Sequence, residues 1–160
     1  MHKILMTAAL LSAAVAAHAE VRSEKNMSAA LAQTLATDTV AACRDKGYAV
    51  TATVVDRAGQ VRAVLRGDNA GPHTLEASLR KAYTAASAKS ATSAMMENAQ
   101  KNPGAQNLTD IPGFLLLGGG LPVKVGNEVI GAIGVGGAPG GHLDEQCAQA
   151  ALDKARAALK

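Results

Sequence analysis

IPGFLLLGGGLPVKVGNEVIGAIGVGGAPGGH, residues 111–142, holds two apolar runs, Phe114–Leu117 and Val129–Val135, set between clusters of glycine. Apolar, β-branched runs bounded by Gly, Pro and Asn read as strands of a buried sheet. Gly118–Gly120 lets the chain leave Phe114–Leu117 through positive φ and return as Leu121–Val125. Gly126-Asn127 then turns it into Glu128–Gly136, which completes a three-strand antiparallel meander. Its glycine-rich rims expose backbone to close approach by a ligand or a second subunit.

Outward from this stretch, Ser28–Lys46 carries an apolar helical face (Leu31, Leu35, Ala42, Cys43), and Gly47 ends it. Tyr48–Asp56 and Val61–Arg66 read as a hairpin around Gly59. After the loop Gly67–Gly71, Pro72 suits a first helical turn, and Leu75, Leu79, Ala82, Tyr83 and Ala86 form a stripe at helical spacing. A short helix over Ala94–Gln100 and the loop Asn102–Asn107 lead into the meander. A last helix runs from Leu143 to the C-terminus, with Ala148, Ala151, Leu152, Ala155 and Leu159 inward. The order αββααβββα describes an antiparallel α+β domain rather than a parallel βαβ sheet.

The N-terminus reads as a leader. Met1-His2-Lys3 is basic, Ile4–Ala16 is apolar, and Ala17-His18-Ala19 fits a small-x-small cleavage site, so residues 1–19 are expected to be a secretory signal peptide. The run is too short for a membrane span. Cleavage leaves 20–160 as one domain, periplasmic or secreted. Losing Lys3 lowers the formal charge from +3 to +2. No Lys/Arg cluster accompanies the remaining aromatics, Tyr48, Tyr83 and Phe114, which argues against a nucleic-acid partner. In an oxidising compartment, the single pair Cys43 and Cys147 favours a disulfide between the first and last helices over a metal site.

Several stretches in order resemble one family: Val54-Val55-Asp56 with Gly59, Arg66-Gly67-Asp68-Asn69-Ala70, and Arg80-Lys81-Ala82-Tyr83-Thr84-Ala85. They continue with Gly118-Gly119-Gly120-Leu121-Pro122, then Gly131–Gly137, and end on Asp144 before the final helix. The set is similar to the GlcG/HbpS-like (haem-degrading domain) family and the related C-terminal domain of PduO-type proteins. The resemblance implies a profilin-like, five-stranded antiparallel sheet flanked by helices, a homo-oligomer, and haem as cofactor. Many members carry serine where this chain has Gly136, so no hydroxyl contact is carried over there.

The chain after the leader holds two histidines, His73 and His142. His73 sits where a helix begins; the positive end of the dipole disfavours imidazolium and leaves a neutral ring able to ligate haem iron. The competing reading is a solvent-facing residue at a helix start. His142, in a Gly-Gly-His segment, reads as an exposed loop residue. The family does not use histidine uniformly, so Thr74 or a lysine is an alternative contact. Arg66, Asp68, Arg80 and Lys81 are candidates to line a pocket for haem propionates or a small carboxylate, against the plainer reading of a solvated face with a Glu76–Arg80 pair. Met95-Met96 reads as core filler.

The glycines do not fit a dinucleotide fingerprint, and Asp144 and Glu145 in the first turn of the last helix would repel phosphate. No G-x-S-x-G nucleophile is present. Asp56 reads as the residue that opens the Arg57–Gln60 turn. Three functions follow: an exported haem-binding protein, a binding module for a glycolate-like acid, or an oligomeric accessory protein without catalysis. Enzymatic breakdown of haem would require an electron source and is not inferred.

Overall fold

The computed structural model describes residues 20–160; the expected leader, Met1–Ala19, lies outside the described residues. In chain order the elements are α1 (Ala29–Arg44), β1 (Thr51–Asp56), β2 (Val61–Arg66), α2 (Thr74–Ala88), α3 (Thr92–Lys101), β3 (Gly120–Val125), β4 (Glu128–Gly136) and α4 (Gly141–Lys154). Short 3-10 turns cover Pro103–Asp110 and Arg156–Ala158, so the last α-helix stops before the C-terminus. Ser28 caps α1 by accepting the Leu31 amide at 3.2 Å, and Gly47, at φ +83°, carries the chain out of it.

The strands form one antiparallel sheet in the order β2-β1-β4-β3. It has four strands, not the five expected. Phe114–Leu117 is apolar enough for a strand, but helix side chains take up its backbone. The Leu115 amide donates to Thr84 Oγ1 at 2.9 Å, and the Leu117 carbonyl accepts from Thr92 Oγ1 at 2.7 Å. The segment therefore runs beside α2 and α3 instead of pairing with β3.

Helices α1 and α4 cover one face of the sheet and α2 covers the other. The main core lies under α1 and α4, where Leu35, Val50, Val54, Ile133, Val135 and Ala148 are buried. Cys43 and Cys147 form a disulfide inside it, with Cα atoms 5.3 Å apart, closing a loop of 104 positions. In the chain-entropy account such a loop stabilises by roughly 4–5 kcal/mol, an upper estimate.

The α2 side is built differently. Beneath the helix lie Thr51, Thr53 and Val55 of β1 and Ala132, Gly134 and Gly136 of β4. A methyl on Gly134 would sit 2.1 Å from the Ser78 carbonyl oxygen and 2.4 Å from the Ala82 nitrogen, so the helix backbone rests almost on the strand. Only small side chains fit such a gap. The buried face of α2 over this gap is accordingly Thr74, Ser78, Ala82, Ala85 and Ala86, with Lys81 reaching past the glycine rim to Asp144, and Leu75, Leu79 and Tyr83 of the expected inward stripe point away from it. The hydroxyls pair across the gap, Thr51 with Thr74 at 2.6 Å and Thr53 with Ser78 at 2.7 Å, which satisfies them out of water.

Candidate functional site

Strand β2 lies at the sheet edge, and on the α2 side no helix among the described residues covers it. Register pairs Val55 with Val61, Thr53 with Val64 and Thr51 with Arg66, so these three β2 side chains share the face on which α2 rests. Beside them stand the residues that α2 turns outward. Val61 (49%), Val64 (47%), Leu79 (37%) and Tyr83 (36%) are exposed together, and the result is an apolar trough between helix and edge strand.

At one end the trough deepens into a cleft of about 420 Å³, lined by Val61, Leu79, Tyr83, Pro112, Glu76 and Arg80, with Gly59, Gln60 and Gly113. Tyr83 is held between two loops. A methyl on Gly59 would come 2.8 Å from its Cδ2 and one on Gly113 3.2 Å from its Cε1; both glycines have positive φ, +76° and +86°. Phe114 meets the ring edge-on, centroids 6.2 Å apart. Arg80 pairs with Glu76 at 2.8 Å on the exposed surface, a contact that stabilises little but sets a guanidinium at the cleft wall.

The remaining residues expected at one site are dispersed. Arg66 and Asp68 line a different cleft, of about 480 Å³, with Val40, Arg44, Tyr48 and Leu65. The Arg66 guanidinium also donates to the Ala70 carbonyl, its Nε at 3.0 Å. The Thr74 hydroxyl is buried between Thr51 and the Gly71 carbonyl, both at 2.6 Å. His73 occupies the N-cap of α2 without capping it; its exposed ring lies over Gly71, outside the Tyr83 cleft. His142 is exposed in the first turn of α4.

Lys81 departs furthest from expectation. Far from facing a ligand, it is 2% exposed, and its ammonium donates to Asp144 at 2.9 Å and to the Val135 carbonyl at 2.8 Å. Burial pushes the Asp144 carboxyl above its ordinary range, opposed by the Lys81 hydrogen bond. The glycine rim belongs to this latch. A methyl on Gly119 would lie 2.7 Å from Lys81 Nζ, while Glu145 accepts the Gly119 and Ser93 amides at 3.2 Å each. Gly118–Gly120 and Gly134–Gly136 are thus buried by the protein's own helices and offer no open floor to a ligand; of the expected glycine rim only Gly137, Gly140 and Gly141 reach the surface. The sequence reading overlooked Tyr83 as a cleft residue because its helical spacing matched a core stripe. The available signal was that Leu75, Leu79 and Tyr83 are too large for a helix facing glycine.

Residues 27–153 match the family described as haem degrading protein HbpS-like. The chain belongs to this HbpS-like family. A 15.0 kDa protein from the dhaT-dhaS intergenic region of Citrobacter freundii is 35% identical over 136 residues, covering 76% of this chain and 94% of that protein. A double mutant of HbpS from Streptomyces reticuli superposes with TM-score 0.80 at 39% identity, over 90% of this chain and 97% of that one. The PduOC haem complex shares the fold, with TM-score 0.71 at 23% identity over 80% of this chain and 94% of that one. Within this HbpS-like chain no helix among the described residues is long and apolar enough to cross a membrane. Nor do three or more His, Cys, Asp or Glu side chains gather as a metal site among those residues.

Proposed function

We propose that this HbpS-like protein binds haem in the cleft between α2 and β2. The observation that carries the reading is an apolar trough bearing a guanidinium: Val61, Leu79 and Pro112 suit the flat face of a porphyrin, and Arg80 suits a propionate. Tyr83 adds an oxygen donor to the same wall. Membership of a family described by haem degradation, and a fold shared with a protein solved as a haem complex, support the choice of ligand. Bound haem supplies an iron centre capable of redox chemistry; the protein supplies walls, charge and exclusion of water. Titrating the purified protein with hemin tests this: a saturable change in the Soret band is expected, and its absence would end the haem reading.

The same proposal includes export, with Met1–Ala19 removed. A buried disulfide between α1 and α4 supports an oxidising compartment. It includes self-association as well, supported by the side of edge strand β2 that pairs with no other described strand and by exposed Val64, Leu65, Ile111 and Leu117.

One observation favours a second reading, a small organic acid as ligand. Arg44 and Arg66 both line the cleft of about 480 Å³ beneath Tyr48 and Leu65. A thermal-shift comparison of glycolate-like acids with hemin separates the two, because only a ligand of the folded state raises the melting point by mass action.

A further inference from the structure

We infer that Tyr83 ligates the iron when haem occupies the α2–β2 cleft, an assignment that rests on the haem-binding reading above. Histidine, cysteine, methionine and tyrosine are the common side-chain ligands of haem iron; the other candidates, Thr74 and Lys81, are buried in hydrogen bonds away from this cleft. No described cysteine is free, because Cys43 and Cys147 are joined. Among the residues lining the cleft, Tyr83 is the one of these four types. His73 lies over Gly71 outside it, and the Glu76 carboxylate is held by Arg80.

The ring of Tyr83 is also fixed in place, as a ligand must be. Gly59 and Gly113, from separate loops, press on its two edges, and the three atoms nearest each glycine are all ring carbons. Phe114 restrains it further through an edge contact at 72°. The clamp therefore grips the ring and not the hydroxyl. Both glycines hold positive φ, where a side chain would be strained, and a methyl at either would push on the ring. Arg80, three residues earlier on α2, lines the same cleft, paired with Glu76. Tyr83 would ligate as the phenolate: its O–H bond breaks, the proton passes to solvent, and an oxygen lone pair is shared with ferric iron, without change of oxidation state.

The test is a hemin titration of the purified protein beside Tyr83→Phe, Tyr83→His and His73→Ala, with far-UV circular dichroism to verify folding. Tyr83→Phe keeps the ring between its two glycines. It is expected to weaken hemin binding by about tenfold or more and to abolish phenolate-to-iron charge-transfer absorption and the phenolate bands in resonance Raman spectra. Tyr83→His should give a histidine-type spectrum, and His73→Ala should match the parent. If the parent binds hemin and Tyr83→Phe leaves its spectrum unchanged, the assignment is wrong while haem binding stands; loss of the parent spectrum in His73→Ala instead moves the ligand to that residue. A parent with no Soret change removes the ligand assignment along with the haem reading.

Discussion

One face of α2 presents Thr74, Ser78, Lys81, Ala82 and Ala85 and is buried; the other presents Leu75, Leu79 and Tyr83 and lies open. By polarity alone the two would be exchanged. The gap beneath the helix decides otherwise. Gly134 and Gly120 bring strand backbone against helix backbone, and a methyl on Gly120 would approach the Lys81 carbonyl oxygen to 2.5 Å. Hydroxyl pairs, alanines and one lysine threaded past Gly119 fill that space. The large side chains are left at the surface, where they wall a cleft. Packing geometry, rather than hydrophobic content, sets which face of this helix is available to a ligand.

The largest expected effect tests the buried face. Lys81→Met strands Asp144 without its cation and should cost about 3–5 kcal/mol, read as a lowered urea midpoint. A change below about 1 kcal/mol would mean that the pair does not latch α2 to α4. Its acid response has a defined sign. Burial leaves the folded-state pKa of Asp144 above its ordinary 3.8, so the folded state takes up a proton before the unfolded chain does. This carboxyl's contribution to stability therefore grows as pH falls through that window and shrinks as pH rises through the folded-state value. Measured against Asp144→Asn, the parent should gain stability on acidification toward 3.8; a relative loss would contradict the raised value.

Gly134→Ala sharpens the comparison next. Its methyl would overlap the Ser78 carbonyl, so α2 must lift, at a cost of about 1–3 kcal/mol. Thermal unfolding checks this, and a neutral result would show that the helix rides higher than described. Smaller again is Ser78→Ala, which leaves the Thr53 hydroxyl without its partner and should cost about 1 kcal/mol. Pairing it with Thr53→Val should restore part of that loss in a double-mutant cycle.

The smallest effect on stability belongs to the open face. Leu79→Ser should shift stability by only about 0.5 kcal/mol yet weaken hemin binding in the same titration. A variant that lost stability and kept hemin would place Leu79 in the core and the ligand elsewhere.

Much of the fold was legible in order. Val61–Arg66 and Glu128–Gly136 match their strands end to end, because glycine, proline and asparagine punctuate them and alternation was not needed. The expected export, with a single even pair of cysteines, pointed to the Cys43–Cys147 bond that the structure contains. Phe114–Leu117 misled because a strand needs free backbone partners as well as apolar residues, and Thr84 and Thr92 had already taken them. The candidate site was less legible. Arg66, Asp68, Arg80, Lys81 and His73 are close in sequence or share a helix, but they separate into two clefts, one buried pair and one exposed ring.

By itself the sequence determined the antiparallel α+β class, the β1–β2 and β3–β4 hairpins, the Ser28 start of the first helix and the order of family motifs, since these depend on local backbone preference and short-range pattern. Tertiary structure decided how deeply α2 sinks onto β4, where the Lys81 charge goes and what holds Tyr83. Those outcomes depend on Gly134, Asp144, Gly59 and Gly113 arriving from distant points of the chain, and no periodicity within α2 encodes the distance at which another strand's backbone will stop it.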